Sequence, residues 1–241
     1  MKYAIIAAGE GSRLAREGIW EPKPLVEVGG ERLIDRLFRI FTDNNADEIV
    51  VICNDLTALV SQHLEKIQRR GLNGLRVPLR FIVRTTPSSM HSFFELSGLL
   101  GNAPFILTTV DTVFREEEFA TYVAAFEQTL ADGKDGLMGV TGFIDDEKPL
   151  YVATDEALNV TGFYDDKVQN CCYVSGGIYG LGPDAVETLQ RCIANGESRM
   201  RNFQRGLIRD GRRLRAYPFS KVLDIDHADD ISKAERFLIE L

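Results

Sequence analysis

A chain of 241 residues, 44% apolar and 27% charged, is long enough to bury a full core, and no run approaches the roughly 20 apolar residues of a membrane span. A formal net charge of −8 excludes a broad nucleic-acid-binding face, which needs clustered lysine and arginine, so an anionic ligand must be met by a local basic site or by bound metal. Met1-Lys2-Tyr3 leads straight into a short β-branched stretch without the pattern of a signal peptide, and the expected location is cytoplasmic.

Residues 3–8 read as the first strand, short and apolar as a strand covered on both faces should be. Leu33, Ile34, Leu37, Phe38 and Phe41 then recur at helical spacing, residues 48–53 form a second strand, and Leu56, Leu59, Val60, Leu64 and Ile67 mark another helix. Strands at 80–84 and 104–109 and a helix at 116–130 continue the alternation, which is the signature of a parallel sheet with helices on both faces. After Gly133 the strands crowd together at 136–141, 150–153, 159–163 and 173–181, which predicts a mixed or antiparallel extension. Helices at 183–193 and 200–208, strands at 214–217 and 222–225, and a helix from about Asp229 complete the chain. No Pro/Ser-rich linker or fixed-period repeat divides it, and the cysteines (Cys53, Cys171, Cys172 and Cys192) lack Cys-x-x-Cys spacing for a zinc site.

Chemistry concentrates at strand ends. The first strand runs into Ala8-Gly9-Glu10-Gly11-Ser12-Arg13-Leu14, a glycine loop whose backbone N–H groups can approach phosphate oxygens. A dinucleotide fingerprint needs a third glycine where Leu14 stands, and a Walker loop needs Gly-Lys-Ser/Thr, so both are excluded. Asp111 follows the strand at 104–109, at the carboxyl end where open α/β sheets bind ligands. Asp224 and Asp226 alternate at i and i+2, so in a strand both face one side.

The run Gly9-x-Gly11-x-Arg13-Leu14, eight further residues, then Lys23-Pro24-Leu25 closely resembles the signature of the nucleotidyltransferase family that includes the sugar-1-phosphate nucleotidylyltransferases. The resemblance implies one doubly wound, Rossmann-like α/β domain with a mixed, mostly parallel central sheet over residues 1–241, about 1–130 binding the nucleotide and about 131–241 the acceptor. It implies that Ala8, Gly9, Gly11 and Ser12 wrap the NTP phosphates, that Arg13 contacts the β/γ-phosphates and that Lys23 reaches the α-phosphate. Asp111 corresponds to the family's magnesium-binding aspartate, with Val110 in place of the usual glycine, and Asp226 or Asp224 completes the Mg²⁺ site. Thr85 to Ser92 stands where relatives carry Gly-Thr-Ala near the base; here Ser88 and Ser89 either cap a helix or turn N–H groups to the ligand.

On the acceptor side, Asp166 and Lys167 match the family's Glu-Lys-Pro, with Val168 for proline, and Gly176-Gly177 matches its Ala-Gly-Ile-Tyr strand, where a ligand lies against the backbone. The resemblance thus implies transfer of a nucleoside monophosphate from an NTP to a sugar 1-phosphate, with neither nucleic acid nor membrane as partner. Missing Gly-Thr-Ala also fits a cytidylyltransferase acting on phosphocholine or another small non-sugar phosphate. A glycosyltransferase would want Asp-x-Asp where Asp111-Thr112-Val113 has one acid, and an inactive binding subunit would be expected to lose Arg13 or Lys23.

Overall fold

The computed structural model describes residues 1–168 and 171–239. In chain order the elements are β1 (Lys2–Ala7), α1 (Ser12–Arg16), one 3-10 turn (Lys23–Leu25), the hairpin β2 (Glu27–Val28) and β3 (Glu31–Arg32), α2 (Leu33–Asp43), β4 (Glu48–Cys53), α3 (Ala58–Arg70), β5 (Leu79–Val83), α4 (Ser89–Leu100), β6 (Phe105–Thr109), β7 (Thr112–Val113) and α5 (Glu116–Ala131). Then follow β8 (Gly136–Thr141), β9 (Tyr151–Thr154), β10 (Val160–Tyr164), β11 (Tyr173–Leu181), α6 (Ala185–Ala194), α7 (Met200–Arg209), β12 (Leu214–Phe219), β13 (Leu223–Asp224) and α8 (Ala228–Ile239).

One mixed sheet runs in the order β10-β9-β11-β6-β1-β4-β5, with β8 on β11 and β12 on β8. β6, β1, β4 and β5 are mutually parallel, as the alternation of strands and helices requires, while β11 enters antiparallel to β6 and starts the mixed half. β1 shows why the strands are apolar throughout. Tyr3, Ile5 and Ala7 point into the core beneath α2, α3, α5 and α8, and Ala4 and Ile6 point into the opposite core beneath α4, α6 and α7.

Two expectations shift. The apolar stripe read from Leu56 begins later, because α3 starts at Ala58, capped by the Thr57 hydroxyl, and Leu56 and Leu59 face solvent. The strand read at 222–225 shrinks to Leu223–Asp224 and pairs with β7 outside the large sheet. That small ladder brings the end of the chain to the carboxyl ends of the parallel strands.

Candidate active site

β1 delivers the glycine loop to the sheet's carboxyl edge. Gly11 takes φ +64°, a left-handed turn that glycine adopts without strain, and a Cβ there would touch the Lys23 Cβ at 3.4 Å. Buried Asn54, next after β4, ties the loop down by donating its side-chain amide to the carbonyls of Ala8 (3.2 Å) and Gly9 (3.0 Å). Pro22 and Pro24 flank Lys23 and fix the backbone of the 3-10 turn that sends its side chain inward.

Lys23 is only 9% exposed, and its ammonium bridges Asp111 Oδ2 at 2.5 Å and Asp226 Oδ1 at 2.7 Å. Those two oxygens therefore lie within about 5 Å of each other, the most that the two contacts allow. Arg13 Nη1 donates to the other Asp226 oxygen, Oδ2, at 2.8 Å. Burial opposes the charge on Lys23, but Asp111 and Asp226 outweigh it and hold the ammonium above its usual pKa. Asp111 shows the matching shift: enclosure favours the acid form, yet the Lys23 charge and hydrogen bonds from Lys23 and Thr109 bring its carboxyl below the usual range.

Asp224 arrives through the β7–β13 ladder, paired with Thr112 while Leu223 pairs with Val113, and the Ile225 N–H donates to the Asp111 carbonyl at 3.1 Å. Its carboxylate opens to solvent at the cleft floor yet is walled in by protein. That enclosure, followed by the charges of Asp111, Asp226 and Asp146, pushes its pKa up to about 7 against the opposing pull of Lys23. Asp230, at the start of α8, accepts from the N–H groups of Asp226 and His227, and Glu17 accepts from Ala228 and pairs with the His227 ring, so α1 and α8 hold the acidic turn from both sides.

Two cavities meet at these acids. One, about 580 Å³, is lined by Ala8, Gly9, Gly11, Ser12, Arg13, Lys23, Ser88, Ser89, Asp111, Asp224 and Asp226. The other, about 640 Å³, shares Arg13, Asp224 and Asp226 and extends over Gly176, the loop carrying Phe143, Asp145, Asp146 and Glu147, and Lys233 of α8. Ser88 caps α4, its hydroxyl accepting from His91 N–H, while Ser89 begins that helix at the cavity wall. Gly176 and Gly177 fall where the β11 register with β8 shifts between Ser175 and Ile178, and Gly177 takes φ +71°.

Asp166 and Lys167 are not brought into this group. Both are exposed after β10 and line neither cavity, and the neighbouring Asp165 pairs with Arg201 and Arg205 of α7. Sequence reasoning missed Asn54, the acidic loop and Lys233. A lone asparagine after a strand and charges in a surface loop carry no local signal of what they will face; the one available hint was that Asn54 ends a parallel strand, where ligand sites gather.

Among curated proteins, the glucose-1-phosphate cytidylyltransferase of Salmonella typhimurium (strain LT2) is 34% identical over 53 residues, 22% of this chain and 21% of that protein, so the match spans about a fifth of the relative. Among solved structures, a Bacillus anthracis protein provisionally designated a glucose-1-phosphate thymidylyltransferase superposes with a TM-score of 0.84 at 16% identity, covering 100% of this chain and 96% of that one. The inositol-1-phosphate CTP transferase of T. maritima superposes with a TM-score of 0.75 at 17% identity, covering 99% and 98%. Identities this low speak for the fold alone, a single α/β domain with a mixed, mostly parallel central sheet. The model of the MobA-like NTP transferase domain matches residues 3–142, from β1 through β8, which takes in the glycine loop, Lys23 and Asp111. With more than half of its length matched, this chain belongs to the MobA-like NTP transferase domain family.

Proposed function

We propose that this protein transfers the nucleoside monophosphate unit of an NTP to a sugar 1-phosphate and releases pyrophosphate. The observation that carries this reading is the meeting of two cavities at Arg13, Asp224 and Asp226, beside Lys23 and Asp111. The glycine-loop cavity, in the half up to about residue 130, takes the triphosphate, with Ser88 and Ser89 toward the base. The second cavity, lined mostly by the half from about residue 131, takes the acceptor, with Gly176 against it; Gly177 lines neither cavity. Asp166 and Lys167, outside its lining, have no contact to offer the acceptor in this geometry.

Mg²⁺ fits the residues present. Asp111 and Asp226 already direct one oxygen each at a single cationic atom, and carboxylate oxygens are the hard donors that Mg²⁺ takes one or two of, leaving its other positions to phosphate and water. Asp111 and Asp226 would hold it, with Asp224 alongside; its chemistry is to neutralise charge on the transferred phosphoryl group. Lys23 supports the charge that builds at the α-phosphate, and Arg13 holds the departing pyrophosphate. No general base is needed, because a phosphate monoester has its second pKa near 6 and is already a dianion at neutral pH.

One observation favours a second reading. The acceptor cavity is lined by Glu17, Asp145, Asp146, Glu147, Asp229 and Asp230 besides the shared acids, and by the Phe143 ring, surroundings that suit a cationic head such as that of phosphocholine. A pyrophosphate-release screen crossing the NTPs with sugar 1-phosphates and phosphocholine decides. Turnover with a sugar 1-phosphate supports the first reading; turnover with phosphocholine alone replaces it by the second.

A further inference from the structure

β5 ends the large sheet: it pairs with β4 on one side, and among the described residues no strand pairs with it on the other. Ile49 N–H donates to the Pro78 carbonyl and Arg84 N–H to the Cys53 carbonyl, both at 2.8 Å, which fixes the phase of the β4–β5 ladder. Arg80 and Ile82 therefore turn their backbone groups toward β4, and Leu79, Phe81 and Val83 turn theirs outward. Leu79 is satisfied locally, its N–H by the Val77 carbonyl (2.8 Å) and its C=O by the Gln68 side-chain amide (3.0 Å). Phe81 and Val83 have no such partner among the described residues, so the edge keeps free donors and acceptors at these two positions. We propose that a second copy of this chain covers the edge, β5 pairing antiparallel with β5 of the copy so that one sheet runs through a two-fold dimer.

The edge matches itself. One two-fold register sets Phe81 opposite Val83 of the second copy and Val83 opposite its Phe81, each pair exchanging both bonds, with Ile82 on the axis. Every free backbone group of both copies is then satisfied, whereas a shift of one pair would bring in Leu79, whose groups are already taken. The flanks are apolar on both faces of the sheet. Val83 is 42% exposed on the face covered by α3, where Leu56 and Leu59 are also exposed, and Phe94 of α4 is exposed on the other layer. Charge fits as well. Arg80 and Arg84 are the charged residues of this edge, and each already holds a carboxylate, Glu48 at 3.0 Å and Glu95 at 2.6 Å. In this register Arg80 stands opposite Arg84 of the second copy, so two neutral ion pairs meet in place of two bare cations. Hydrogen bonds, apolar flanks and charge that all pair with their own image point to an isologous contact.

Sedimentation velocity of the full chain over about 1–100 µM should show association from one copy to two. Residue-resolved hydrogen exchange at the two ends of that range reads the edge directly. The Phe81 and Val83 amides should slow by at least about ten-fold in the dimer, while Ile82, bonded to β4 in either state, changes little. Val83→Pro removes an outward donor and leaves the β4 ladder whole, so it should weaken association by at least about ten-fold. If that variant fails to fold, the exchange comparison on the wild-type protein decides alone. A chain that stays monomeric across the range overturns the proposal and leaves the edge to a strand of another protein. A dimer whose Phe81 and Val83 amides exchange as fast as in the monomer, or a folded Val83→Pro that dimerises like wild type, overturns it by placing the interface on another face.

Discussion

Asp224 stands opposite Thr112 across a two-residue antiparallel ladder, and the Thr112 hydroxyl donates to its carboxylate at 3.3 Å. More than a hundred residues of chain close on that pairing, and it sets a third carboxylate beside Asp111 and Asp226. Enclosure and those neighbouring charges raise the Asp224 pKa to about 7.

A pH dependence of stability follows. In the unfolded chain Asp224 ionises near the usual aspartate value of about 3.9, whereas the folded protein holds the proton to about 7. Between those values the native state binds more protons, so this group's contribution to stability falls as pH rises from about 4 to about 7 and is level above that. Asp224→Asn, neutral throughout, should match wild type in Tm near pH 4 and exceed it at pH 8, both measured without divalent metal. Parallel Tm curves across that range would mean that Asp224 titrates normally.

Gly177→Ala should destabilise the fold. At φ +71° an alanine pays the left-handed penalty of about 1–2 kcal/mol, and its Cβ would stand 3.1 Å from Thr112 Oγ1. For a chain of this size Tm should drop by about 3–6 °C in a calorimetric scan. Because the crowded atom is the hydroxyl that bonds Asp224, turnover should fall as well; an unchanged Tm would show that the β11 bulge relaxes freely.

The parts of the fold legible in the sequence are those set by local periodicity. The β1, β4, β5 and β6 strands and the α2 helix follow from apolar runs and a helical stripe, and the glycine loop with Lys23 follows from spacing. The small β7–β13 ladder was not legible, because two residues make no pattern and their partners lie more than a hundred residues away. Asp224 and Asp226 were readable as neighbouring acids, but the strand ends at Asp224 and leaves Asp226 in the turn before α8, and nothing local says that Lys23 lies between Asp226 and Asp111. The acceptor wall was least legible, since Asp145 and Lys233 meet only through the tertiary fold, at 3.0 Å.

Lys233 should matter more to the acceptor than Lys167. Lys233 lines the cavity proposed for the acceptor and pairs with Asp145 and Asp230, while Lys167 is exposed and outside the lining. Lys233→Ala should raise the acceptor KM about ten-fold with the NTP KM unchanged, a loss of about 1.4 kcal/mol of acceptor binding. Lys167→Ala should change neither by more than about two-fold. The reverse ranking in steady-state kinetics would return Lys167 to the acceptor and overturn the placement of Lys233.

Lys23→Ala should lower kcat far more than it weakens NTP binding. An interaction that strengthens as charge builds in the transition state appears in kcat, and one made equally in the ground state appears in KM. Lys23 has the features of the first kind: its ammonium is almost buried, fixed by the proline-flanked turn, and held firmly protonated by Asp111 and Asp226. A preorganised charge in such a cleft costs no reorganisation at the moment of reaction, and loss of one comparable donor lowers turnover by about 10²–10³-fold. Arg13, on an exposed side chain with one carboxylate partner, is the contrast: Arg13→Ala should act mainly on the NTP KM, by about ten-fold. Pyrophosphate-release kinetics give kcat and KM, and calorimetry with each NTP gives affinity without turnover. Near wild-type kcat with collapsed NTP affinity in Lys23→Ala would make Lys23 a ground-state anchor and overturn its assigned role at the α-phosphate.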